Sequence, residues 1–268
     1  MAEVRRPERF RILIIGRANA GKTTILRAVC GVDEEPEVYD QEGNKVSGSA
    51  IGRRGWKHCI DYELRFPSNP GFVFHDSRGF ESGAVEELEL VRKFIQEQAN
   101  LGSVSKQLHA IWYKVRLNPL PVITAHALLS QSRYCFPADI PVIAVFTKFD
   151  ALDSAAFTAL SGPGVSFEEA KAMAPKHATE KFNAEYLPLV ESLAHPPKAV
   201  VCLRNMHNRT SPAVIQKAVS ELVEKTEAAL DTDALRVLLV QAQRVNVELC
   251  MKAAVNRWAS KVYVKSFI

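Results

Sequence analysis

The sequence predicts an α/β fold: a mostly parallel six-stranded sheet with helices on both faces, followed by a C-terminal helical extension. Three observations predict it. Short apolar runs alternate with amphipathic segments between residues 10 and 203, the pattern of strands joined by covering helices. A loop bounded by two glycines, Gly16 and Gly21, links the first apolar run to the first helical segment. Of 268 residues, 47% are hydrophobic and 24% charged, which is enough apolar material to fill a sizeable core.

Taken in order, the first strand is Phe10–Ile15, whose Ile12–Ile15 run is apolar throughout and so reads as buried on both faces. Lys22–Cys30 follows as a helix. Gly43–Gly55 is polar, rich in Gly and Ser, and carries Arg53 and Arg54, so it reads as a mobile loop of the kind that holds functional groups. Strands Cys59–Phe66 and Phe72–His75 come next, then a helix over Val85–Ala99. Strand Leu108–Val115, a weaker helical segment around Val122–Ser132, strand Val142–Phe146, a helix over Phe167–Leu193 and strand Ala199–Leu203 complete the alternation. Two more helical segments follow, Ala213–Ala229 and Asp233 to about Ser260. In the second, Leu235, Leu238, Leu239, Ala242, Val245 and Leu249 recur every three or four residues and form one apolar face. That face reads either as packed on the sheet or as a surface for a partner. The expected division is one α/β domain over residues 1–230 and a helical extension over 231–268.

Composition narrows the class. Lys plus Arg number 34 and Asp plus Glu 30, a net charge of +4, too mild to predict nucleic-acid binding. The five cysteines (Cys30, Cys59, Cys135, Cys202, Cys250) are odd in number and widely spaced, which fits neither a disulfide framework nor a zinc site. No apolar stretch reaches the roughly 18 residues that a membrane-spanning helix needs. The arginine-rich first eleven residues lack the long apolar centre of a signal peptide. A cytoplasmic protein without a transmembrane segment is the expectation.

Residues 16–23 read Gly16-Arg17-Ala18-Asn19-Ala20-Gly21-Lys22-Thr23, matching G-x-x-x-x-G-K-[ST] between a buried strand and a helix. Glycines let the backbone curl around a polyphosphate with its N–H groups pointing inward, and the helix N-terminus favours anionic oxygens. Lys22 can reach the terminal phosphates, and the Thr23 hydroxyl can ligate magnesium. Asn19, Ala20, Gly21, Lys22, Thr23 and Thr24 are the expected phosphate-side contacts. Asp76-Ser77-Arg78-Gly79 follows the apolar run Phe72–Phe74, so Asp76 falls at the carboxyl end of a strand, the edge where open α/β sheets place ligands. Asp76 is the second expected metal-side residue, and the Gly79 N–H can meet a γ-phosphate.

Thr147-Lys148-Phe149-Asp150 follows the strand that ends at Phe146. A carboxylate at Asp150 can accept from both the ring N–H and the exocyclic amine of guanine, a donor pair that adenine lacks. The Lys148 stem can cover the face of the base.

With these three elements in this order, the chain resembles the P-loop GTPases, in the translation-factor-related class of Era-like, septin-like and Ras-like G domains. The resemblance covers roughly residues 10–230. Leu108–Tyr113, His75–Glu81 and Leu203–His207 are similar to stretches in a fungal group of uncharacterised G-domain proteins. In the family a fifth base-side element follows the sixth strand. Here that position is Leu203–His207, without the usual Ser-Ala-Lys, which leaves Asn205 as the candidate base or ribose contact. The resemblance implies GTP and GDP as ligands, Mg²⁺ as cofactor, hydrolysis of GTP to GDP and phosphate, and an effector protein that the sequence does not identify.

Two departures bear on mechanism. No threonine lies between Thr24 and Thr124, so the family's switch threonine is missing, leaving Ser47, Ser49 or backbone carbonyls in its place. Phe80 follows the D-x-x-G element where the family often has a water-orienting Gln. Slow intrinsic turnover is therefore expected. Asn19 stands where potassium-activated relatives also carry Asn. The resemblance implies K⁺ as a catalytic cation there, together with a homodimer across the nucleotide face. The alternative is a turn-favouring Asn without an ionic role. Arg53, Arg54 or Arg78 is a rival source of positive charge. A switch or scaffold with negligible turnover is the competing function, whereas an ATPase or nucleotide kinase is disfavoured by Thr147–Asp150. Of the seven histidines none pairs with another His or Cys at metal-ligand spacing, and His75 reads as a hydrogen-bonded strand-end residue.

Overall fold

Ile12, Leu13, Ile14 and Ile15 are all buried, as expected of a strand covered on both faces, and this strand is the centre of the sheet. A computed structural model describes residues 9–16, 21–46, 60–77, 85–104, 106–116, 140–162, 164–193, 195–206 and 212–243. Its strands are β1 (Phe10–Gly16), β2 (Glu37–Tyr39), β3 (Glu63–Phe66), β4 (Asn69–Asp76), β5 (Ala110–Arg116), β6 (Val142–Thr147) and β7 (Ala199–Leu203). They form one sheet in the order β2-β3-β4-β1-β5-β6-β7. The β4-β1-β5-β6-β7 neighbours are parallel, while β2 and β3 add on antiparallel at the edge. The described helices are α1 (Lys22–Cys30), α2 (Val85–Ala99), α3 (Asp150–Leu160), α4 (Phe167–Lys181), α5 (Leu187–Glu191), α6 (Pro212–Ala229) and α7 (Asp233–Ala242).

The sheet has seven strands where the sequence predicts six. The additional one, β2, is three residues long and its only buried residue is Val38, too little alternation to read as a strand. The predicted strand Cys59–Phe66 is shorter in the fold, Glu63–Phe66, with a turn over residues 60–62. The start of the predicted Gly43–Gly55 loop is a closed hairpin: Asp40 Oδ1 accepts from the Asn44 N–H at 2.7 Å, and the Val46 N–H donates to Val38 O at 2.9 Å. The helix predicted over Phe167–Leu193 is three pieces, because a π turn over Phe182–Tyr186 separates α4 from α5. Pro188, at the start of α5, has no N–H to carry the α-helical ladder across that junction. The segment around Val122–Ser132, and residues 244–268 including Val245 and Leu249, lie outside the described residues.

Two buried layers hold the sheet. On one face Ile12, Ile14, Phe72, Phe74 and Trp112 pack against α1, α6 and α7. On the other, Leu13, Ile15, Ile111 and Tyr113 pack against α2, α3 and α4. Trp112 Nε1 donates to Thr226 Oγ1 at 3.1 Å, which ties β5 to α6.

The last described helix is seated by a glycine. A Cβ on Gly71 of β4 would lie 2.8 Å from Ala242 Cα of α7. Gly71→Ala is therefore expected to destabilise the fold by about 1–3 kcal/mol, because backbone must move. Gly102→Ala, with nothing within 4 Å of the added carbon, is the matched control and should be near neutral. Urea unfolding of the two variants checks this.

His109 supplies a pH dependence. Its Nδ1 accepts from the Arg11 N–H at 3.0 Å, so Nε2 carries the proton and donates to Val104 O at 2.9 Å. A second proton would break the first bond, and burial holds the ring's pKa down at about 4. The unfolded chain binds that proton near pH 6.5, so stability is full above pH 6.5 and falls as the pH drops towards 4. The expected loss at this side chain is about 3 kcal/mol. Thermal melting across pH 4–7 measures it, and His109→Gln should remove about half of the histidine-dependent loss, the rest belonging to His75, whose pKa burial likewise holds down at about 4.

Candidate functional site

Those sequence-predicted residues that are described converge at one edge of the sheet. All five parallel strands run the same way, so their carboxyl ends line up: Gly16 of β1, Asp76 of β4, Lys114 in β5, Thr147 of β6 and Leu203 of β7. β4 lies on one side of β1 and β5 on the other, so the crevice falls beside the loop after β1, where open sheets bind ligands.

Gly16 is held close. A Cβ there would lie 2.7 Å from Lys114 O and 2.8 Å from Lys114 Cβ, so any side chain would collide with β5. Gly21, at φ 74°, caps α1 in the left-handed conformation that glycine adopts without penalty. α1 has no acidic residue in its first turn, which leaves its positive end open to an anion. Thr23 is half-buried in that turn and Thr24 is exposed. Lys22 Nζ lies 2.9 Å from Asp76 Oδ1 and donates to Ser77 O at 2.7 Å and to Gly16 O at 3.4 Å. The lysine thus joins the ends of β1 and β4. Ser77 Oγ is buried without a hydrogen-bond partner among the described residues.

On the other flank, Phe149 packs on Phe182, and its N–H donates to Leu203 O at 3.1 Å. Lys148 (φ 56°) and Asn205 (φ 51°) both adopt left-handed backbone, uncommon outside glycine and associated with functional turns. Asp150 Oδ1 accepts from the Asn205 N–H at 3.0 Å. A carboxylate has about four acceptor positions, so this bond leaves room for the two guanine donors. The structure therefore brings Thr147, Lys148, Asp150 and Asn205 together across β6 and β7. Arg204, which the sequence reading left without a role, buttresses them: its guanidinium stacks 4.2 Å from the Phe149 ring centroid and donates to Asp153 at 3.0 Å and to Thr179 Oγ1 at 2.9 Å.

The residue most clearly missed in the sequence is Lys114. It is 2% exposed, and a Cβ on Gly21 would sit 3.9 Å from its Nζ. Burial brings its pKa down to about 7, with Lys22 pushing further down, Asp76 upward and Lys148 downward. The available signal was a lysine interrupting the alternate-residue apolar face Ala110–Trp112.

His75 is not poised for proton transfer. Its Nδ1 donates to Ile60 O at 3.0 Å, and burial holds its pKa down at about 4. Asn19, Ala20, Arg53, Arg54, Arg78, Gly79 and Phe80 lie outside the described residues. Cys30 and Cys202 are free thiols with pKa values raised by burial, which leaves them in the unreactive protonated form.

The side-chain donors of Thr23 and Asp76 at this edge are hard oxygens. Among the described residues no group of three His, Cys, Asp or Glu could hold a metal alone. Magnesium needs no such group, since one or two protein oxygens and the phosphates suffice. The Thr23 hydroxyl and the Asp76 carboxylate fit that requirement.

The chain matches no known protein-family model and no curated protein. Among solved structures it is similar to the septin GTPase domain of Chlamydomonas reinhardtii, at 14% identity and a TM-score of 0.40, covering 85% of this chain and 95% of that one. It is also similar to two mutation variants of SsGBP, at 13% and 12% identity and TM-scores of 0.36 and 0.37. Those matches cover 81% and 82% of this chain and 55% and 56% of theirs. Likenesses this distant carry no residue roles, so the site is read from its own geometry. No described helix is long and apolar enough to cross a membrane.

Proposed function

We propose that this chain is a GTP-binding protein that hydrolyses GTP to GDP and phosphate with magnesium, slowly on its own. The observation that carries this reading is the convergence of Lys22, Asp76 and Asp150 at one sheet edge: a phosphate-side cation, a metal-side carboxylate and a base-side carboxylate. Thr23 and Asp76 would hold Mg²⁺, which supplies charge neutralisation at the β- and γ-phosphate oxygens. Lys22, now paired with Asp76, turns to the phosphates and leaves that carboxylate to the metal side. Asp150 orients the guanine, and Lys148 covers its face. Asn205 fixes the Asp150 carboxylate and contributes to the base pocket.

Turnover beyond the intrinsic rate needs an added positive charge beside the phosphates. The reading assigns it to K⁺ at Asn19, with a second copy of the chain across the nucleotide face, and keeps Arg53 or Arg54 as the rival source. The competing function is a GTP-dependent switch or scaffold in the cytoplasm that recruits an effector. Phe80, in place of a water-orienting residue, favours it. Phosphate release from GTP with Mg²⁺, in K⁺ against Na⁺ at several protein concentrations, separates the two. Faster turnover in K⁺ that rises per molecule with concentration supports the enzyme. Tight binding without release in either salt supports the switch, and equal rates in the two salts remove the role of Asn19.

A further inference from the structure

We propose that Lys114 is a second phosphate-binding lysine, which grips the nucleotide's phosphate chain from beneath the loop while Lys22 grips it from α1. The proposal rests on the reading of this edge as a nucleotide site. Three observations carry it.

The first is position. Lys114 pairs in register with Gly16, and its Nζ lies near Gly21, so the ammonium sits between the two glycines that bound the loop. Its strand face is that of Ala110 and Trp112, the face covered by α1, α6 and α7. The side chain therefore rises on the same side as the N-terminus of α1, and Asp76 rises on that side from β4, the other neighbour of β1.

The second is burial. A lysine almost entirely removed from water is costly unless opposite charge meets it. A strand of this kind would be cheaper with an apolar residue at that place, as at Ala110 and Trp112.

The third is the balance of charge. Among the described residues, Lys22 and Lys148 act on Lys114 as cations and Asp76 as a carboxylate. Cations gathered at one place suit a polyanion. A lysine is a compact point charge that binds phosphate without demanding planar geometry.

The test uses Lys114→Met, which keeps the length and apolar stem and removes the charge, with Lys114→Gln as a second uncharged variant. Each is titrated against guanosine, GDP, a non-hydrolysable GTP analogue and inorganic tripolyphosphate, all with Mg²⁺. Expected are a loss of about 10- to 100-fold for the GTP analogue and for tripolyphosphate, and unchanged affinity for guanosine. The ligand-free Met variant should melt no lower than the parent, because a buried charge has gone. Unchanged affinity for the GTP analogue in either folded variant would overturn the proposal. An equal loss for guanosine and the GTP analogue would also overturn it, because Lys114 would then shape the loop without touching phosphate. If the unaltered protein binds neither guanosine nor any phosphate ligand, the reading of the whole site fails before Lys114 is reached, and the proposal falls with it.

Discussion

Lys22→Ala is expected to cut GTP affinity by about 100-fold or more and to abolish measurable turnover, while leaving a folded protein. Charge-assisted bonds to phosphate are among the strongest that a side chain makes, and two of them account for a loss of this size. The fold should survive because Lys22 spends its bonds on the ligand edge: Asp76 Oδ1, Ser77 O and Gly16 O. Asp76 keeps Lys114 as an opposite charge when Lys22 is gone. Calorimetric titration with GTP, beside a thermal melt of the free protein, measures both halves. Full affinity in the alanine variant would show that the phosphates lie elsewhere.

Asp150→Asn should invert base preference. The Asn205 N–H needs an acceptor 3.0 Å away, which turns the new amide's oxygen towards Asn205 and its NH₂ towards the base. That NH₂ then faces the guanine N–H donors, and donor meets donor. Two lost charge-assisted bonds correspond to roughly a 10³-fold drop in GTP affinity. Xanthine carries an oxygen where guanine carries its amine, so xanthosine triphosphate should bind the variant more tightly than GTP. Competition binding with both nucleotides reads this directly. A variant that still prefers GTP would mean that Asp150 does not face the base.

What the sequence conveyed, and what it withheld, follows from the range over which each feature is determined. The bounds of α1, α2 and β7 were legible because a phosphate loop, a long amphipathic run and a short apolar run are local patterns. The helix α3 was not. Asp150 opens it, but Asp150-Ala151-Leu152-Asp153-Ser154 carries little apolar periodicity, and only Leu152 and Ala156 of that helix are buried. The strand β2 owes its existence to β3 and to the hairpin at Asp40–Asn44, not to its own three residues.

The same distinction holds at the site. Asp76 and Asp150 could be named from motifs, because strand ends on one side of a parallel sheet share an edge. The bond from Asn205 to Asp150 links positions 55 residues apart and appears only in the fold. Lys114 was passed over for a different reason. A lysine in a strand ordinarily faces water, and only the fold shows this one buried beside Gly16 and Gly21.

The central claim is that one sheet edge holds both the phosphates and the guanine. Equilibrium titration of the unaltered protein with GTP and ATP, each with Mg²⁺, tests it most directly. The account predicts GTP binding with ATP weaker by about 10³-fold or more, since adenine leaves the Asp150 carboxylate without its donors. Equal affinity for the two nucleotides, or a preference for ATP, would contradict it.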